Sequence, residues 1–467
     1  MKLKDHEIFI AGLLSLLLFN FLQAGSTELL DDEAYYWMYS QHPDWGYYDH
    51  PPMVAWMIGL GYSLIHNTSG VRLFFALSIS ICLWILYKLQ QPINSIRLIC
   101  IVLSLGVIQF GGFLAVPDVP LVLFSAIFIW LFRRYLFDKT RLNAIYLGIC
   151  MAALLYSKYQ GFLLIGFCLL ANRKLFLERS FWLGILVCLL LLIPHISWQI
   201  RNGVPSLEYF LSEHYSDLSY HYWYTTDYLL GQIFFFGPLI GWMIFLSAVG
   251  MKPHGDIWIR TLQWIVCGVF AFFFLNSFFM HTEPNWTAIA IIPSILLLHN
   301  YLDHAPRLEK ILYRLFPFSL MIIFFIRIAM IWNIVGDKVA INKELHDNEK
   351  WTGLIREKAR AHPIYFVNSY QQASKYNYYQ HEFATSYNGV GYRNNQYDIW
   401  KPQANWFQDS ILVVSINGAH ASADSIISPM GKIYCQMFVN PNFDGDESIS
   451  KRLPPQKPLI PFLKGQR

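Results

Sequence analysis

Charge is what this 467-residue chain has least of: Asp, Glu, Lys and Arg make up only 14% of it. Ordinary globular chains carry about 25%, so a water-soluble fold of this size lacks the polar surface it would need. The net charge of +4 is scattered through loops instead of forming a stripe, which argues against a nucleic-acid partner. Cysteine is scarce as well. Six of the seven (Cys82, Cys100, Cys150, Cys168, Cys188 and Cys267) fall inside apolar segments, and only Cys435 lies outside. That pattern excludes a disulfide framework and a thiolate metal site, and leaves these residues as small core hydrophobes. There is no internal repeat and no low-complexity segment.

What fills the chain is apolar and aromatic: 55% hydrophobic residues and 17% Phe, Trp and Tyr. Runs of membrane length occur near 7–24, 71–89, 96–114, 119–137, 181–198, 229–249, 261–280, 287–302 and 315–335. The stretch 142–172 is interrupted by Ser157-Lys158-Tyr159-Gln160-Gly161. Each half is short for a full span, which predicts a helical hairpin with a polar tip. The expected architecture is mainly α, a polytopic membrane protein with about eleven transmembrane helices. Lys2 and Lys4 precede the first span, but no small-x-small cleavage site follows it, so it is expected to stay as an anchor.

Short-loop cations set the orientation. One set of loops holds Lys88, Arg97, Arg133, Arg134, Lys139, Arg141, Arg173, Lys174, Arg179, Lys252, Arg260, Arg307, Lys310 and Arg314. The opposite set holds Lys158 and Arg201, with Arg72 at the boundary, so the amino terminus is predicted inside. Five polar segments then reach the outer face. They are Asp31 to His50, Pro117-Asp118, the hairpin tip, Arg201 to Asp227, and His281 to Trp286.

The first of these, continued to Pro52, is the densest: DDEAYYWMYSQHPDWGYYDHPP has nine rings, five carboxylates and no Lys or Arg. Rings suit a membrane–water boundary, and the carboxylates suit a water-filled cavity opening against lipid. Together they suggest chemistry on a substrate that is part lipid. After about residue 336 the apolar runs stop. Strand-like 363–367 and 410–415, with a helix starting near Tyr370, predict a small α/β domain. The expected domains are a membrane part over 1–335 and an extracytoplasmic part over 336–467.

The run DDEAYYWMYSQHPDWGYYDHPPMVAW resembles the first outer loop of bacterial glycosyltransferase family 39. This family includes relatives of protein O-mannosyltransferases and lipid A aminoarabinose transferases, all of the GT-C fold. Further stretches are similar in the same order: Pro117-Asp118-Val119-Pro120, Ser157-Lys158-Tyr159, Pro194 to Asn202, Glu283-Pro284-Asn285-Trp286, Asn368 to Ser374 and Asn395 to Trp400. The resemblance covers nearly the whole chain. It implies inverting transfer of a sugar from a polyprenyl-phosphate carrier to a lipid, glycan or protein, at the outer face of the bacterial cytoplasmic membrane.

Such a reaction needs a carboxylate to take the acceptor's proton and cations or amide donors where phosphate charge develops. The resemblance assigns catalysis to Asp32 and Glu33, with Asp32 as general base, while an acidic helix cap is the structural alternative. Asp49 and His50 stand where aminoarabinose transferases carry Glu and Lys, so the family's permanent cation is missing there. Arg72 and Lys158 are the other candidates to meet donor phosphate. Lys158 could instead snorkel to headgroups, and Asp118 could simply cap its helix. Tyr159, His281, Glu283, Asn285 and Trp286 complete the expected donor-binding set. His281 and Glu283 alone are weak grounds for a divalent metal, so no metal is assigned and no cofactor is firmly implied. A transporter or flippase is the competing class, and a membrane scaffold with an outer binding domain the third.

Overall fold

The computed structural model describes residues 4–90, 94–214, 220–252, 255–334, 336, 340–388, 392–400, 410–415, 424–429 and 431–439. They form two compact units. The first is drawn from Met1–Gly25, His50–Ser197 and His214–Ile328, and the second from Ser26–Asp49, Trp198–Glu213 and Ala329–Arg467.

The first unit is helical. Six helices among the described residues are long and apolar enough to cross a membrane: Asp5–Ser26, Thr68–Leu89, Asp118–Phe137, Arg179–Arg201, Ile257–Asn276 and Pro306–Ile331. All six fall on expected spans, and the chain is a multi-pass membrane protein. The expected hairpin is present as Arg141–Ser157 and Gly161–Ala171.

Three expected spans are broken. The 96–114 run splits into Ser95–Leu103 and Gly106–Gly111. The 229–249 run splits into Tyr222–Phe235 and Gly241–Gly250. At that second break Gly237 sits at φ +109° with space for no side chain, since a Cβ there would lie 2.3 Å from the Ser104 carbonyl oxygen. The 287–302 run begins as a 3-10 turn, Pro284–Ala290, before the helix Ile291–Leu302. An unexpected short helix, Met53–Leu64, follows Pro51-Pro52 and is too brief to register as a span.

Lipid gives helices no hydrophobic reason to associate, so small residues that let backbones approach do the work. A Cβ on Gly148 would lie 2.2 Å from the Gly184 carbonyl, and one on Gly184 would lie 2.6 Å from that of Ala144. This contact brings the first hairpin helix against Arg179–Arg201. Two buried arginines inside the unit are partnered. Arg327 is fully buried and donates to the side-chain oxygens of Gln23, Gln109 (2.9 Å) and Asn20 (2.9 Å), with its guanidinium 4.1 Å from the centre of the Phe19 ring. Arg97 pairs with Asp303 and Glu309.

The second unit is built on a five-stranded sheet in the order β2-β1-β3-β5-β4. The strands are β1 (Ile364–Val367), β2 (Ala384–Tyr387), β3 (Ser410–Ser415), β4 (Asp424–Ser428) and β5 (Gly431–Val439). β1 runs parallel to β2 and β3, with Ile364 opposite Ala384 and Leu412, while β5 is antiparallel to β3 and β4. The helix Tyr370–Gln380 is the crossover between β1 and β2. β1, β3 and that helix match the sequence reading. β2 and β4 escaped it because ATSY and DSIIS are short and polar.

Residues 26–49 and 198–213 belong to this same unit. The acidic helix Asp31–Gln41 lies against Tyr370–Gln380. Leu29 N–H donates to Tyr379 OH at 2.9 Å, and the Trp37 and Tyr378 rings meet edge to face at 5.1 Å.

Candidate active site

The acidic helix opens with three carboxylates in its first turn, where the partial positive charge of the helix N-terminus favours them. The three have separate environments. Glu33 is fully buried, and its Oε2 accepts the Leu30 N–H at 3.0 Å. It closes the helix start, so of the expected catalytic pair only Asp32 offers a carboxylate to solvent. Asp31 pairs with the fully buried Lys375 at 2.6 Å and accepts from Gln372 Nε2 at 3.3 Å. Asp32 Oδ1 accepts from Gln371 Nε2 at 3.0 Å.

The Asp32 side chain is open to water yet recessed among protein atoms. Desolvation raises its pKa, the Gln371 bond opposes that, and the Asp31 and Asp49 charges add to the rise.

Asp49 lies in the same unit. Tyr39 OH donates to its Oδ2 at 2.9 Å, and Arg393 Nη2 donates to its Oδ1 at 3.2 Å. The Arg393 guanidinium also bonds Tyr370 OH and lies over the Tyr370 and Tyr209 rings, at 4.8 and 5.1 Å. Burial pulls the Arg393 pKa down, but Asp49 and the surrounding phenols raise it overall. Burial also holds Tyr35 and Tyr39 well above the usual phenol range, so both remain hydrogen-bond donors.

The rings expected at a membrane boundary are mostly interior. Tyr35, Tyr36, Trp37, Tyr39, Tyr47 and Tyr48 are buried, and Tyr39 stacks on Tyr47 at 4.1 Å. Trp45 remains exposed. Rings suit a wet boundary and a packed core alike, so composition alone could not separate the two.

In the helical unit the hairpin tip carries Lys158. Its Nζ lies 2.8 Å from Asp118 Oδ1, and Asn285 Nδ2 donates to Asp118 Oδ2 at 3.0 Å. Lys158 is 7% exposed at its side chain, so it does not snorkel. Asp118 makes no cap bond to its own helix and spends both oxygens on these partners. Tyr159 OH lies 3.1 Å from Nε2 of the buried His195. Arg72 is fully buried, donates to the Ala24 carbonyl at 3.1 Å and lies 5.9 Å from the Phe113 ring centre.

His281 is half exposed, with Nδ1 3.3 Å from Glu283 and Nε2 3.9 Å from Asp227. The Trp286 ring lies 5.9 Å from Phe273. His50 is half-buried ahead of Met53–Leu64.

The family profile described as dolichyl-phosphate-mannose-protein mannosyltransferase matches residues 49–198. The lipid A galacturonosyltransferase RgtD of Rhizobium johnstonii is 21% identical over 288 residues, covering 59% of this chain and 61% of that protein. The chain thus spans under two thirds of the length of that curated relative. Among solved structures, ArnT from Cupriavidus metallidurans bound to undecaprenyl phosphate superposes with a TM-score of 0.67 at 13% identity, covering 94% of this chain and 98% of ArnT. Its apo state gives 0.66 at 15% identity, covering 91% and 97%. The chain therefore has the fold of ArnT, and its residues 49–198 match that mannosyltransferase profile.

Among the described residues, no three His, Cys, Asp or Glu side chains are placed to hold a metal ion. Sequence reasoning missed Lys375, Gln371, Arg393 and His195. Gln371 lies within the family-like Asn368 to Ser374 run, and His195 within Pro194 to Asn202, which was the available signal. Arg393 and Lys375 carried none.

Glu344 is a titrating group of the second unit. Its Oε2 accepts the Asp31 N–H at 3.3 Å. Burial, reinforced by the Asp31 charge and opposed by Lys375, raises it to about 7. The folded protein therefore holds this proton more tightly than the unfolded chain, where Glu titrates at about 4.3. Its stabilising contribution is complete below that value and is lost as pH rises through 7. Glu344→Gln is expected to flatten the fall in melting temperature between pH 5 and 8 and to raise stability at pH 8. Thermal unfolding at both pH values checks it, and an unchanged slope would refute it.

Proposed function

We propose that the protein is an inverting glycosyltransferase that moves a sugar from a polyprenyl-phosphate carrier to an envelope acceptor, with Asp32 as general base. The observation that carries this reading is Asp32 itself, a water-accessible carboxylate in a recess that raises its pKa, beside two carboxylates committed to other partners. In the reaction the acceptor hydroxyl oxygen attacks the anomeric carbon, its proton passes to Asp32, and the bond to phosphate breaks with its electrons leaving on the polyprenyl phosphate. One displacement inverts the anomeric centre.

Supporting this reading, the superposable ArnT was solved with undecaprenyl phosphate, and the family profile is named for a dolichyl-phosphate sugar donor. RgtD is named for lipid A, which favours a glycolipid acceptor over a glycan or protein. Lys158, with Asp118 and Asn285, is assigned to the donor phosphate, together with His50 and Arg72. Asp49, Tyr159, His281, Glu283 and Trp286 are assigned to the sugar and carrier head. The proposal includes a bacterial cytoplasmic membrane location, a membrane domain over 1–335 and an extracytoplasmic domain over 336–467.

Deleting the gene is expected to remove one sugar mass from the envelope glycolipids and to enlarge the polyprenyl-phosphate sugar pool. Mass spectrometry of both fractions tests it. Unchanged glycolipids, glycans and glycoproteins beside an unchanged donor pool would overturn it.

A further inference from the structure

The run Asn368 to Ser374 supplies Gln371, the donor to Asp32 Oδ1. It opens the helix Tyr370–Gln380, and the face carrying Gln371, Gln372 and Lys375 meets the first turn of the acidic helix. The contacts divide the adjacent carboxylates unequally. Asp31 receives a full ammonium from Lys375 at 2.6 Å, and that ammonium is held in place by the Glu344 carbonyl, also at 2.6 Å. Asp32 receives only the neutral amide of Gln371, at 3.0 Å on Oδ1. Among the described residues Oδ2 of Asp32 takes no hydrogen bond.

An ammonium on Asp32 would hold it ionised and make it a poor proton acceptor. No donor at all would leave its rotamer loose and its charged form without support. A neutral amide on one oxygen avoids both.

We propose that Gln371 is a positioning residue for the transfer reaction. It fixes Asp32 through Oδ1 and leaves Oδ2 to take the acceptor's proton, while Lys375 neutralises Asp31 so that Asp32 alone serves as base. The inference rests on the reading of Asp32 as general base. Other groups acting on Asp32 are Asp31 from its own helix, Asp49 from the end of the acidic loop, Arg393, Glu344, and Tyr370 from the crossover helix.

The test is the pH profile of kcat/KM for the full-length protein in membranes, with glycosyl polyprenyl phosphate extracted from the same membranes as donor. Gln371 is only half-buried at the surface, so its replacement leaves the core intact. With Gln371→Leu the charged form of Asp32 loses its donor. Turnover on the acid limb is expected to fall about fivefold to tenfold, while at high pH it approaches the wild-type plateau. With Gln371→Glu a second carboxylate faces Asp32, and the acid limb moves further up in pH.

A uniform loss at every pH would mark Gln371 as packing only and overturn the inference, and so would a profile superposing on wild type. Asp32→Asn, run alongside, separates the two claims. Substantial activity in Asp32→Asn would defeat the general-base reading itself. An inactive Asp32→Asn beside a wild-type profile for Gln371→Leu would defeat the positioning role alone.

Discussion

Asp32→Asn is expected to cut sugar transfer by about 10²–10⁴-fold, the usual worth of a positioned general base, with the protein still folded and inserted. The substitution keeps size and shape, and its Oδ1 can still accept from Gln371 at the observed position. Nothing buried is left unpaired, because Asp32 is the one carboxylate of its turn that is open to water. Binding of polyprenyl phosphate should be unchanged, which separates lost chemistry from a lost site. The measurement is turnover of the polyprenyl-phosphate sugar pool in membranes holding wild type and variant at equal abundance. Turnover within a few-fold of wild type would remove Asp32 from the mechanism.

Lys158→Ala is expected to cost both stability and activity. Lys158 and Asp118 are 7% and 13% exposed at their side chains, and breaking a buried pair by removing one partner costs about 3–5 kcal/mol, because the other charge stays behind. Asn285 alone would remain on Asp118.

Removing both charges in Lys158→Ala with Asp118→Ala should therefore recover much of the melting temperature. It should not recover transfer if the ammonium also meets the donor phosphate as proposed. Lys158→Arg should restore part of each property, since a planar fork cannot occupy the same space as a compact ammonium. Melting temperature, polyprenyl-phosphate affinity and turnover, measured on all three variants, decide the matter. Normal donor affinity and turnover in a folded Lys158→Ala protein would reduce the pair to a structural latch.

Long apolar periods were legible in advance because hydropathy over a span is a sum that single residues barely disturb. The six membrane-length helices and the hairpin followed from it. The breaks at Gly237 and Ser104 were not legible, because they depend on two backbones approaching within one van der Waals contact.

Among the candidate residues, Asp32, Asp118 and Lys158 were visible as polar residues at the ends of apolar runs. Their partners were less so. Lys375 reads as an unremarkable basic residue in a polar helix, and its complete burial against Asp31 is a tertiary fact. The same holds for Glu33, whose residue type fits a base and a cap equally until the Leu30 bond is seen.

Arg327 lies in Pro306–Ile331, the last membrane-length helix, whereas Asn20 and Gln23 lie in the first and Gln109 in the short helix Gly106–Gly111. An arginine within a lone membrane helix is costly to insert, and this one finds its acceptors only when the start and end of the unit have met. The contact therefore forms only once the last helix has joined the first. A chain stalled before Pro306 presents amides without their cation, and a final helix that enters alone presents a cation without its amides. Either defect is chemically distinct from the finished unit, and a single guanidinium resolves both.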